Sequence, residues 1–208
     1  MPNAPKGLFW YPAKIRRCYS MLVIDRSTLV GKGLHRECFV HPDDHNRCVK
    51  IVVAGNSDEN RREAQYYSQL ASRGISWEML TRFHGLVETS LGEGAVFDLV
   101  RDYNGEVSRT LDYYLDSEDL RQLCGTALVE ALNALKNYLL ANSVITMTLK
   151  AQNVLFQQTM EHQGKLVIVD NVGNSDFIPI TNYSPYLARL KIRRKWRRFE
   201  QSLNKKLA

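Results

Sequence analysis

The stretch VITMTLKAQNVLF, residues 144–156, constrains this chain more than any other. An apolar entry passes into a polar turn bearing Lys150 and Asn153, and two short β-rich runs then lead to Asp170 at the end of KLVIVD. Asn153 and Asp170 both offer oxygen donors suited to a hard cation that bridges phosphates. Lys50, far upstream, supplies a fixed positive charge.

A helix, a polar turn and β-rich runs ending on an aspartate form the layout of a kinase catalytic loop and its metal-binding strand. In protein kinases the loop reads H-R-D-L-x-x-x-N, where Asp accepts the substrate proton and Asn holds one Mg²⁺, and a later D-F-G Asp holds the other. Anchored on Leu149 and Asn153, the position of the catalytic Asp falls on Thr148. A threonine hydroxyl hydrogen-bonds an acceptor but does not take up its proton at neutral pH. The metal side of such a site is therefore intact while its base is missing.

Upstream, residues 22–53 form three β-rich runs broken by a glycine turn and by HPDDHN. Gly31 and Gly33 lie between two strands, which rules out a dinucleotide-binding turn, since that turn opens a helix. A strand–turn–strand glycine loop is what covers ATP phosphates in kinases, though a plain hairpin turn reads the same way. Arg36 replaces the third glycine of G-x-G-x-x-G. In the third run Lys50 projects from the face opposite the most apolar one, in the place of the V-A-I-K lysine that contacts nucleotide phosphates. His41 and His45 bracket Pro42-Asp43-Asp44, a sequence that reads as a solvated turn.

A helix is predicted over residues 58–72, with Ser57 as N-cap and Gly74 as its stop. Glu63, Tyr67 and Leu70 share one face of it. Glu63 is thereby expected to turn inward and pair with Lys50, because a buried lysine without a partner tends to lose its charge. TRFHGLVETS and GAVFDLVRDY, separated by a turn at 91–94, supply two further strands. The expected α+β architecture is bilobal and protein-kinase-like. Residues 21–101 make an amino-terminal lobe with a five-stranded antiparallel sheet and one helix, and residues 102–208 a reduced, mainly helical carboxyl-terminal lobe. Residues 102–105, polar and turn-prone, take the place of a hinge whose backbone would hold an adenine.

In the second lobe, residues 110–115 suit a short helix, and Ser117 caps a long one with Glu118 and Asp119 in its first turn. Leu120, Cys124, Ala127, Leu128, Ala131, Leu135 and Leu139 recur at helical spacing as its core stripe. Asn171, Val172 and Gly173 stand where D-F-G would continue, with no A-P-E sequence and no long activation segment after them. Near the end, Ile192, Trp196, Phe199 and Leu203 make an apolar line among Lys191, Arg193, Arg194, Lys195, Arg197 and Arg198. This amphipathic basic helix is expected either to dock on the second lobe with its bases in solvent or to seek an anionic surface.

The net charge of +6 is concentrated at the ends. Residues 1–20 carry four bases and no acids, and residues 189–206 carry nine bases and one acid, which leaves residues 21–188 at −6. The basic balance thus points to an anionic partner for a tail more than for the core, and no specific nucleic acid is expected. Pro2, Pro5 and Pro12 mark residues 1–20 as an extended basic arm, and Met21, just ahead of the first strand pattern, is an alternative start. Four scattered cysteines form neither a zinc nor a disulfide pattern, and no apolar run reaches the ~18 residues of a membrane span. A cytoplasmic location is the expectation.

Together, GKGLHRECFVHPDDHNRCVKIV, RREAQYY, HGLVET, VITMTLKAQNVL and VIVDNVG resemble the YrbL family of small bacterial kinase-like proteins, named for the PhoP regulatory network. The resemblance runs from about Leu29 to the carboxyl terminus, and TMTLKAQN, with Thr for the catalytic Asp, is peculiar to that family. It implies ATP and Mg²⁺ as cofactors. Lys50 and Glu63 would anchor phosphates, with Gly31 and Gly33 above them. Asn153 and Asp170 would be metal ligands, while Lys150 would meet the transferred phosphate and Thr148 would stand at the missing base. It also implies a protein partner in two-component signalling that responds to Mg²⁺ limitation or envelope stress. Two functional classes follow: a nucleotide-binding kinase-like protein with weak, atypical or no phosphotransfer, or a nucleotide-independent module that docks a partner or an anionic membrane through its basic carboxyl-terminal helix.

Overall fold

The computed structural model describes residues 21–33, 35–54, 58–173 and 184–207. The basic arm over residues 1–20 and the predicted cap Ser57 lie outside them. The chain is α+β. Strands β1 (Leu29–Lys32), β2 (Arg36–His41), β3 (Asp44–Val52), β4 (Phe83–Thr89) and β5 (Gly92–Asp98) form one antiparallel sheet in the order β1-β2-β3-β5-β4. Helix α1 (Asp58–Ser72) lies between β3 and β4 in sequence and ends at Gly74, whose φ of 63° suits a residue without a Cβ.

The central strands are buried on both faces. Val49 and Ile51 pack with Phe39, Val96 and Ile24 on one side. Cys48, Ala95 and Phe97 face Tyr66, Tyr67 and Leu70 of α1 on the other, with the Tyr67 and Phe97 rings 5.3 Å apart, edge to face. Residues opposite each other in an antiparallel pair share a face, so the register Cys38↔Lys50↔Ala95 puts Lys50 on the α1 side. The turn expected at 91–94 falls earlier. Thr89 Oγ1 accepts from the Leu91 amide at 3.1 Å and donates to the Gly92 carbonyl at 2.6 Å, so pairing of β5 already begins at Gly92.

A second, three-stranded sheet has the order β6-β7-β8, with β6 at Arg109–Thr110, β7 at Val154–Met160 and β8 at Gln163–Ile168. Around it lie α2 (Leu111–Asp116), α3 (Glu118–Asn142) and α4 (Pro185–Leu207). Ser117 caps α3 by accepting from the Leu120 amide, and Ser143 closes it in the left-handed conformation. The predicted stripe holds for Cys124, Leu128, Ala131, Leu135 and Leu139, with Tyr138 added; Leu120 and Ala127 lie at its margin.

Helix α4 buries Ile192, Trp196, Phe199 and Leu203 in the main core. Its partners on α3 include Lys136, 3.1 Å from Glu200, and the Leu140 carbonyl, which accepts from Arg189 at 3.3 Å. The expectation that all of its bases face solvent fails at Lys191, which is 5% exposed, and at Lys195, which donates to the Met147 carbonyl. Both lie on the docked flank, where only the far end of each stem needs a polar partner. Among the described residues, no helix is long and apolar enough to cross a membrane.

Candidate functional site

Three of the predicted residues meet around the backbone of Val169. Val169, just before Asp170, donates its amide to the Asn153 carbonyl at 3.1 Å, and its own carbonyl accepts from Lys50 Nζ. Asn153 closes the short 3-10 turn over residues 151–153, its amide 3.0 Å from the Lys150 carbonyl. Lys50, from the middle of β3, crosses to the second sheet with its ammonium 4.3 Å over the Phe97 ring. That cation–π contact and the carbonyl stabilise a charge that is only 7% exposed.

The carboxylates are partnered differently from the sequence expectation. Glu63 turns inward as predicted and is 3% exposed. Its ion pair, however, is with Arg36, Nη1 to Oε2 at 2.5 Å, and the other end of the same guanidinium meets Asp170 Oδ1. The Lys50–Glu63 pair is thus replaced by Arg36–Glu63, with Lys50 on the Val169 carbonyl. The reason is geometric: Arg36 opens β2 opposite Val52, and its rigid five-donor fork spans two carboxylates where an ammonium offers a single point. Glu63 Oε1 is buried without a hydrogen-bond partner among the described residues.

Burial opposes ionisation of Asp170, but Lys50, Arg36 and the Asn171 amide outweigh it and hold the carboxyl below its ordinary value. The Asn171 amide reaches Asp170 Oδ1 at 2.8 Å from a residue whose φ is 59°. A short polar residue such as Asn tolerates that left-handed conformation, and its amide adds a backbone donor to the carboxylate.

Thr148 and Lys150 are exposed on the loop that precedes Asn153. Their loop is anchored on three sides. Thr146 bridges Val172, the Ile145 amide donates 2.8 Å to Tyr66 Oη, and Lys195 of α4 takes the Met147 carbonyl. Gly31 pairs with Cys38 in the β1–β2 ladder, and Gly33 donates to the Arg36 carbonyl at 2.8 Å. Both glycines therefore sit in the hairpin that delivers Arg36.

Three of the four amides of the expected adenine-holding turn are taken up within the protein. Asp102, Tyr103 and Gly105 donate to the carbonyls of Glu106, Gln158 and Asp102, at 2.8, 2.9 and 2.9 Å. Asp102 Oδ1 also accepts from the Gln158 amide at 2.9 Å, which fastens the turn to β7. Sequence reading missed two participants, Arg36 and Lys195. Arg36 was visible only as the residue standing where a third glycine would be, and Lys195 only as one base among many.

The family model described as PhoP regulatory network protein YrbL matches residues 22–204. YrbL of Escherichia coli K12 is 38% identical over 186 residues, covering 86% of each chain, and YrbL of Shigella flexneri matches to the same extent.

Proposed function

The chain belongs to the YrbL family, which is linked to the PhoP regulatory network, and from that premise we propose that it is a kinase-like protein that binds Mg²⁺–ATP, with phosphoryl transfer slow or absent. The observation that carries this reading is the backbone of Val169, next to Asp170, which donates to the Asn153 carbonyl and accepts from Lys50 of the other sheet. A bilobal kinase-like arrangement is consistent with the five-stranded sheet, the helix inserted between its third and fourth strands, and the loop–strand–strand order ending at Asp170. On this reading residues 21–101 and 102–208 are the two lobes, which share one continuous core.

On this reading Asp170 and Asn153 supply the oxygen donors for a divalent cation. Asp170 is already a carboxylate held ionised among cationic groups, and Asn153 is tied by its backbone to the adjacent strand. Oxygen donors of this kind suit Mg²⁺, which favours few protein ligands together with phosphate. When bound, the metal would neutralise charge on the phosphates. Asn153 and Asp170 would hold it, and Lys50 would face the phosphates. Lys150, exposed beside Thr148, would meet the terminal phosphate. Thr148 orients an acceptor hydroxyl but does not deprotonate it, and loss of a general base costs about 10²–10⁴-fold.

The test is thermal shift with millimolar ATP, with and without Mg²⁺. Stabilisation by ATP plus Mg²⁺, with its Mg²⁺-dependent part lost in Asp170→Ala, is the expected result. No shift in the wild-type protein would remove the nucleotide reading. It would favour instead a module that docks a cytoplasmic protein partner or an anionic membrane surface through the outward face of α4, where Arg193, Arg194, Arg197 and Arg198 are all exposed.

A further inference from the structure

Two carboxylates of the site share one cation while the other cation rests on a neutral acceptor. Arg36, with 13% of its side chain exposed, bridges Glu63 and Asp170. Lys50 donates to the Val169 carbonyl, one residue from Asp170. Glu63 Oε1 meanwhile has no partner among the described residues, although the residue is 3% exposed. A desolvated carboxylate oxygen without a donor is costly, so the observed pairing leaves an acceptor that a second donor would satisfy.

We propose that Arg36 is a built-in counter-ion occupying the divalent-cation position on Asp170, so that Arg36 and Mg²⁺ exclude each other there, and that displacement of Arg36 lets Glu63 take Lys50 as its partner. The inference rests on the Mg²⁺–nucleotide reading and adds a residue to it. A guanidinium keeps its charge at any physiological pH and lies directly on Asp170 Oδ1. A metal ion on either oxygen of the same carboxylate would set two positive centres within a few ångströms of each other. The metal therefore favours the arrangement in which Arg36 has let go, and its apparent affinity falls with the population of that arrangement. The β1–β2 hairpin, with Gly31 and Gly33, carries Arg36 into the site. The residue that replaces the third glycine of the loop thus closes the site with its own side chain.

The experiment is titration with MnCl₂, with and without ATP, reading free Mn²⁺ by electron paramagnetic resonance. The proteins are the wild type, Arg36→Met, Arg36→Lys and the double variant Arg36→Met/Asp170→Asn. Arg36→Met should bind Mn²⁺ at least about tenfold more tightly than wild type, the scale of one close charge pair. Arg36→Lys, which keeps the charge but loses the fork, should fall between the two, and it decides the matter if Arg36→Met does not fold. The double variant should lose the gain.

Equal or weaker Mn²⁺ binding in the Arg36 variants, with Mn²⁺–ATP still bound by the wild type, overturns the exchange and leaves the nucleotide reading standing. A gain that survives Asp170→Asn also overturns it, because the metal is then elsewhere. Absence of Mn²⁺ binding in every protein, even with ATP present, overturns the exchange and the nucleotide reading together.

Discussion

The Ile145 amide donates 2.8 Å to the hydroxyl of Tyr66, tying the loop that carries Thr148 to helix α1. Both groups are buried, and the hydroxyl is held in its neutral form by that burial, against the pull of the Ile145 amide and nearby Arg73. Helix α1 also carries Glu63, so this one bond joins the two elements on which the site is built.

Tyr66→Phe should therefore destabilise the protein by about 1–3 kcal/mol, the cost of a buried amide left without its acceptor. Urea unfolding measures it. A change below about 0.5 kcal/mol would mean that the amide finds another acceptor.

Helix α4 divides into a structural face and a solvent face. Trp196, 3% exposed and 5.4 Å from the Phe199 ring, should cost about 3–5 kcal/mol when changed to Ala, as large core truncations do. Arg197→Ala and Arg198→Ala, on the exposed face, should stay within about 0.5 kcal/mol of wild type. Chemical denaturation of the three variants distinguishes a docked helix from a loosely held tail.

Two glycines should respond to alanine with opposite sign. A Cβ at Gly94 would lie 2.6 Å from Val49 Cγ1 and 3.2 Å from Thr89 Cγ2, both on β-branched side chains with little rotamer freedom. Gly94→Ala should cost about 1–3 kcal/mol through overpacking. Gly125, inside α3, has nothing within 4 Å of its Cβ position, and Gly125→Ala should add about 0.5–1 kcal/mol by lowering the entropy of the unfolded chain. Thermal unfolding of both variants reads the signs directly.

Acid should expose the electrostatics of Asp170. Its carboxyl is held below the ordinary value of 3.8, so it binds a proton less readily in the folded protein than in the unfolded one. The stability it contributes is fully present above the unfolded value and is lost as pH falls through the folded one. Between about pH 5 and the onset of acid unfolding, the melting temperature of the wild type should drop more steeply than that of Asp170→Asn. Parallel acid limbs would show that Arg36 and Lys50 do not stabilise the charge.

What the sequence determined by itself is whatever depends on local periodicity and caps. Helix α1 runs over the predicted residues 58–72 with Glu63 inward, Ser117 caps α3, and the line Ile192, Trp196, Phe199 and Leu203 is the buried face of α4. These follow from 3.6-residue spacing and side-chain capping, which operate over a few residues. The nearness of Asn153 to Asp170 was legible for a related reason, since the two short strands between them return the chain on itself. Tertiary structure decided the partners. Arg36 reaches Glu63 across 27 residues of sequence and Asp170 across 134. Which of two cations wins a buried carboxylate depends on the reach and shape of the donor once distant elements have packed. The same holds for the amides of Asp102, Tyr103 and Gly105, whose acceptors were set by docking onto β7 and by the tightness of the turn, and for Lys191, buried because its flank of α4 faces the protein. Local pattern fixes which face of an element turns inward, but the packing of whole elements fixes what that face meets.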